Sequence, residues 1–164
     1  GSLKQRMKLP LEVFDAVRSV WPEEKPISAR ISAIDWDDNG NKIEDGVKMA
    51  QLFKEAGLDI IDVSSGNVTN VRRPVTPGLF QTPFSEQIRN EAGIPTMTVG
   101  NLATAEQING VIAEKRADLC CVGKGHLFDP YFVRHAAREI GYDLKWPDQY
   151  PAAKVFNPKP EIMR

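Results

Sequence analysis

The chain has 164 residues, 41% of them hydrophobic and 26% charged, with a net charge of −1 at neutral pH. That size and balance suit one domain with a real core and exclude disorder as the default. The near-neutral charge argues against nucleic acid or an anionic membrane surface as a partner, and no apolar run approaches the ~20 residues that span a bilayer.

Leu3, Met7, Leu11, Phe14, Val17 and Val20 recur at helical spacing. Pro10 is tolerated in a first turn, so the helix proper is expected from there to Trp21-Pro22. Ile27 to Ile34 reads as a strand with Ser28, Arg30 and Ser32 on its polar face. If that face points into a barrel, Arg30 points at whatever the barrel holds. Val47, Met49, Ala50 and Phe53 then mark a helix ended by Gly57. Asp59 to Ser64 is the second strand.

A long loop follows from Asn67 to Gln81 and contains Arg72 and Arg73. Loops of this length are usually functional or mobile, but a solvated loop is the plainer reading of the two arginines. Thr82-Pro83 is expected to open a helix with Thr82 as its cap, and Gly93 to close it. Pro95 to Val99 is the third strand, ending at Gly100-Asn101. Thr104 with Gln107 makes a capping-box pattern, and the helix it opens runs to about Arg116.

Asp118 to Val122 is expected as the fourth strand, stopping in Gly123-Lys124-Gly125, with Asp129-Pro130 opening a last helix over Tyr131 to Ile140. Glycines let backbone approach a ligand and the lysine adds a full positive charge. Gly123 and Lys124, with a weaker counterpart at Gly100 and Asn101, therefore describe a phosphate seat at the ends of two adjacent parallel strands, as after strands seven and eight of a (β/α)8 barrel. Ordinary strand-to-helix turns also need glycine, and a structural salt bridge remains the alternative for Arg30. Cys120 and Cys121 are neighbours on one strand, point to opposite faces and do not pair with each other. They read as reduced thiols of a cytoplasmic protein. No His, Cys or carboxylate set has metal-ligand spacing.

Alternating strands and helices mean a parallel sheet with right-handed crossovers, and strands without clean alternation are expected to be buried on both faces. A closed (β/α)8 barrel normally needs ~200 residues or more, so about four strands make half a barrel or a small open sheet.

Residues 1–13, Gly-Ser-Leu-Lys-Gln-Arg-Met-Lys-Leu-Pro-Leu-Glu-Val, resemble a segment midway through the Old Yellow Enzyme family, with Lys4 and Gln5 where that family usually has Glu and Asn. Ala29-Arg30-Ile31-Ser32, Ile61-Asp62-Val63-Ser64-Ser65-Gly66, Thr98-Val99-Gly100-Asn101 and Val122-Gly123-Lys124-Gly125 resemble its fifth to eighth strands. Ile31-Ser32-Ala33-Ile34-Asp35-Trp36, Gln81-Thr82-Pro83-Phe84, Ala117-Asp118-Leu119-Cys120 and His126-Leu127-Phe128-Asp129-Pro130 are similar to the reductase-like part of bifunctional salicylyl-CoA 5-hydroxylase and anthraniloyl-CoA monooxygenase proteins, as is Trp146-Pro147-Asp148-Gln149-Tyr150.

The resemblance implies the carboxyl-terminal half of a (β/α)8 barrel over residues 1–143, with residues 144–164 as an extension packed on its surface. It implies FMN as cofactor and NAD(P)H as reductant, with an activated alkene or aromatic thioester as substrate. Arg30 would contact the flavin's pyrimidine end, and Gly100, Asn101, Gly123 and Lys124 its phosphate, Lys124 standing where the family has arginine. The family's amino-terminal flavin contacts, substrate-anion pair and tyrosine proton donor have no counterpart here. No catalytic residue is therefore assigned, and the isolated chain is expected to be inactive. A missing amino-terminal half barrel or a second copy is the expected partner. The alternative is a non-catalytic fragment or a phosphate-ligand-binding half-barrel module that self-associates.

Overall fold

The computed structural model describes residues 1–71, 74 and 78–154. Arg72, Arg73 and residues 155–164 lie outside that set. Four parallel strands, β1 (Ser28–Ser32), β2 (Ile60–Ser64), β3 (Thr96–Thr98) and β4 (Leu119–Cys120), lie side by side in chain order. Arg30 is in register with Asp62, Asp62 with Met97, and Met97 with Leu119. Chain order with parallel pairing requires a crossover between every pair of strands, and helices supply each one.

The helices are α1 (Leu3–Arg6), α2 (Lys8–Arg18), α3 (Ile43–Glu55), α4 (Thr82–Ala92), α5 (Ala105–Ala113), α6 (Lys124–Phe128), α7 (Phe132–Glu139) and α8 (Pro151–Lys154). The first stripe is thus two helices. Ser2 accepts from the Gln5 N–H while the Gln5 side chain accepts from the Ser2 N–H, a reciprocal cap that starts α1 before Pro10. Pro10 falls in the first turn of α2, whose start at Lys8 leaves the missing N–H harmless.

One face of the sheet is packed and the other is open. Ile61, Val63, Thr96 and Thr98 are fully buried, and Ile31 joins them in a core with Phe14, Val47, Phe53, Ile88 and Ile94. Phe14 and Phe53 meet edge to face at 6.2 Å. Gly46 lets α3 come close to the end of β1, since a Cβ there would stand 2.8 Å from the Ala33 carbonyl oxygen. The opposite face carries Arg30, Asp62, Met97 and Leu119, none of them buried. Burial on both faces, expected from the weak alternation, therefore does not hold here. Among the described residues, helices cover only the outer side.

At the amino end of the sheet Arg89 clamps Asp118 through two bonds of 3.0 Å, and Asp118 also accepts from the Thr96 N–H at 2.9 Å. The guanidinium holds the Asp118 carboxyl below the usual carboxylate range. Near the carboxyl end, Arg134 stacks on Trp146 at 4.1 Å.

The fourth strand is shorter than expected, Leu119–Cys120 rather than 118–122. Asp118 is committed to its clamp, and α6 begins directly at Lys124 with Gly123 as its cap residue. Asp129-Pro130 stands between α6 and α7, where the last helix is expected to open, and the Asp129 carboxylate accepts from the Tyr131 N–H at 2.9 Å ahead of α7. No sequence signal marks α6 itself. No helix among the described residues is long and apolar enough to cross a membrane.

Candidate functional site

Arg30 sits on the open face, with its side chain 56% exposed. Its Nη1 donates to Asp62 Oδ2 at 3.2 Å, and its Nη2 donates to Ser64 Oγ at 3.2 Å. Ser64 lies two residues beyond Asp62 on β2, so the guanidinium leans toward the carboxyl-terminal rim of the sheet. Asp62 is the more buried partner. Desolvation raises its carboxyl above the ordinary value although Arg30 pulls the other way. Burial, then the Asp62 charge, raises the Cys121 thiol, partly offset by Arg30, which puts these three groups within electrostatic reach of one another.

The two glycine turns close the next strands along the same rim. Gly100 has φ +110° and Asn101 φ +54°, consecutive left-handed residues that turn the chain sharply after β3. A Cβ at position 100 would stand 2.7 Å from Gln81 Nε2 and 2.8 Å from Phe80. The requirement for glycine there is thus internal, set by φ and packing. Gly123 differs, since its φ is −87° and a Cβ would meet nothing within 4 Å. The space beside Lys124 is open. Asn101 and Lys124 line one cleft of about 470 Å³ with Thr104, Phe128, Phe132 and His135. Among the described residues no ion pair engages Lys124, which is exposed.

The structure therefore brings Asn101 and Lys124 to one cleft, and Gly100 and Gly123 to the turns beside it. Arg30 stands on the same rim, two strands from the first turn. His126 is exposed and packs edge to face on Phe132 at 5.6 Å. His135 Nδ1 lies 2.6 Å from Asp129 Oδ2, a hydrogen bond that holds the Asp129 carboxyl low. Among the described residues no group of three or more His, Cys, Asp or Glu could hold a metal ion.

Sequence reasoning missed Gln81. It is 4% exposed and is the cap residue of α4, yet its side chain caps nothing. Its Oε1 accepts from Ser65 Oγ at 2.8 Å and Ser64 Oγ at 3.3 Å, and its Nε2 donates to the Val99 carbonyl at 2.9 Å. Thr82, expected as the cap, instead turns inward to meet the Thr98 hydroxyl at 3.3 Å. A glutamine at the end of a long polar loop reads as solvated. Only the meeting of β2, β3 and α4 buries it.

Residues 1–142 match the model of the NADH:flavin oxidoreductase / NADH oxidase family. An NADPH dehydrogenase of Listeria monocytogenes is 39% identical over 93% of this chain and 44% of its own length. An NADPH dehydrogenase of Geobacillus thermodenitrificans is 43% identical over 92% of this chain and 43% of its own. The chain thus spans less than half the length of these curated relatives. The solved histamine dehydrogenase from Rhizobium sp. 4-9 superposes with a TM-score of 0.69 over 86% of this chain and 20% of its own, at 18% identity, a likeness of fold. Four parallel strands with helices on one side are accordingly a partial (β/α)8 barrel. The chain belongs to the NADH:flavin oxidoreductase / NADH oxidase family, whose cofactor is FMN and whose reductant is NAD(P)H.

Proposed function

We propose that this chain is the FMN-binding half of an NAD(P)H-dependent flavin oxidoreductase that reduces an activated alkene or an aromatic-CoA-type substrate. One observation carries the reading: a single rim holds the Arg30 guanidinium and, farther along, a cleft faced by both Asn101 and Lys124. Lys124 offers a positive charge with no ion pair among the described residues, and Gly123 leaves the space beside it free of protein atoms. Those features fit a phosphate. Among the described residues Arg30 Nε makes no hydrogen bond, which fits a ligand edge lying over the open face.

FMN, when bound, supplies a carrier that takes hydride from NAD(P)H and passes it to the substrate. Arg30 would hold a cation beside the pyrimidine edge and stabilise negative charge there. Lys124 would meet the phosphate as a point charge rather than bidentately. The similarity of residues 31–36, 81–84, 117–120 and 126–130 to the reductase-like part of salicylyl-CoA 5-hydroxylase and anthraniloyl-CoA monooxygenase proteins favours an aromatic thioester as substrate.

The partner is an amino-terminal half barrel, which would close the sheet and supply the proton donor. The uncovered face with Leu119 at 53% exposure, the unpaired outer edge of β1, and the exposed Leu9, Val13 and Val17 along α2 with Val20 just beyond it support this. The same edges favour a second reading, a half barrel that pairs with its own copy. A solution mass of twice 18.3 kDa supports that one.

Titration of the chain into FMN, followed by fluorescence quenching, tests the main reading. Binding is expected to weaken about tenfold in Lys124→Ala and in Arg30→Ala, with riboflavin insensitive to Lys124→Ala. Equal affinity for FMN and riboflavin would sink it. Turnover of NADPH with an enone by the chain alone would overturn the dependence on a partner.

A further inference from the structure

We propose that Gln81 is a positioning residue: its amide ties the Arg30 side of the rim to the Gly100–Asn101 turn and sets the spacing between guanidinium and phosphate seat. The role in cofactor spacing rests on the flavin reading above. The tie itself does not.

The bond directions are unambiguous. The Val99 carbonyl can only accept, so the amide nitrogen of Gln81 must face it, and Oε1 must face the two serines. Each serine hydroxyl has one hydrogen and gives it to Oε1. Each then accepts from elsewhere: Ser64 from Arg30 Nη2 at 3.2 Å, and Ser65 from Trp36 Nε1 at 3.1 Å. The result is a continuous path from Arg30 through Ser64 and Gln81 to Val99, the residue before Gly100.

Asparagine, leucine and glutamate each lose part of that tie. Asparagine is one methylene short. Leucine has no polar atoms. Glutamate keeps the acceptor toward Ser64 and Ser65 but sets an oxygen against the Val99 carbonyl. Burial makes an unmet carbonyl costly, so the glutamate variant would release the turn while leaving the serine side held. Gly100 adds to the constraint, because a Cβ there would stand 2.7 Å from Gln81 Nε2.

Two variants and two readouts test this. Amide hydrogen exchange needs no ligand. The Cys121 N–H, bonded to the Thr98 carbonyl at 2.8 Å, reports the turn side. The Ala33 N–H, bonded to the Ser64 carbonyl at 2.8 Å, reports the Arg30 side, and the Ile61 N–H, bonded to the Pro95 carbonyl at 3.0 Å, reports global opening. In Gln81→Glu, exchange at Cys121 is expected to quicken about tenfold with Ala33 and Ile61 unchanged, and in Gln81→Leu both Cys121 and Ala33 quicken relative to Ile61. Parallel change at all three amides, or no change, overturns the proposal.

The second readout is the ratio of FMN to riboflavin affinity. It is expected to fall about tenfold in Gln81→Glu with riboflavin binding intact, a split that loss of stability alone does not produce. If the wild-type chain binds no flavin, the cofactor reading fails and the exchange data still decide the tie. If it binds FMN and the exchange pattern is flat, the tie fails and the cofactor reading stands.

Discussion

Arg30 and Asp62 are register partners on adjacent parallel strands, and they form an unequal pair. Arg30 Nη1 reaches Asp62 Oδ2 at 3.2 Å, while Asp62 Oδ1 is buried without a hydrogen bond. The arginine is 56% exposed and the aspartate side chain 14%. The carboxylate therefore carries most of the desolvation cost, and the guanidinium stays available at the open face.

That imbalance sets a pH dependence. The folded Asp62 carboxyl titrates above its ordinary value of 3.8, so the folded state holds its proton more tightly than the unfolded chain does. The associated stability is fully present below pH 3.8 and is lost as pH rises through the raised value. Asp62→Asn is expected to flatten this decline and to leave the protein at pH 7 unchanged or about 1 kcal/mol more stable. Urea melts at pH 4 and 7 check it. A loss of more than about 2 kcal/mol at pH 7 would mean that the ion pair outweighs desolvation.

Asp118 titrates the opposite way. Arg89 and the Thr96 N–H hold its carboxyl below 3.8, so this contribution is present above pH 3.8 and is lost as pH falls through the lowered value. The two side chains are 30% and 32% exposed, and solvent screening limits the effect. Asp118→Asn is expected to cost about 1 kcal/mol at pH 7 and to remove the acid-side loss, read by thermal melts from pH 7 down to 3.

The two candidate glycines should separate cleanly. Gly100→Ala forces a Cβ into φ +110° and against Gln81 and Phe80, and is expected to cost about 2 kcal/mol or more. Gly123→Ala has an allowed φ and open space, and should shift stability by less than about 0.5 kcal/mol. Denaturation midpoints compare them directly. A weakened FMN titration in Gly123→Ala at unchanged stability would then mark that turn as ligand-facing.

The cysteines are expected to be inert. Burial, with Cys121 adding to it, pushes the Cys120 thiol up to about 11 from 9.0, and burial raises Cys121 as well. A rise of that size lowers the thiolate fraction of Cys120 about 100-fold at pH 8. Iodoacetamide labelling followed by mass spectrometry should show slow modification that accelerates with pH. Rapid labelling of Cys120 at pH 7 would contradict the partial burial of its thiol.

Much was legible in the chain itself. Glycine, proline and apolar spacing marked the four strands and the helices α3, α4, α5 and α7, because these signals act within a few residues of themselves, but not α6, which begins in the glycine turn after β4. Ser28, Arg30 and Ser32 declared a polar strand face, and Gly100 and Gly123 declared turns at two strand ends. Local pattern could not say that Gly100 is required by Gln81 and Phe80 while Gly123 is not, because that depends on residues about twenty positions away meeting the turn. Nor could it find Gln81, whose three bonds join β2 to the end of β3. Local periodicity determined the alternation of strands and helices and, for β1, which face is polar. Tertiary structure decided which polar groups share a buried space, since desolvation acts only on groups that packing removes from water.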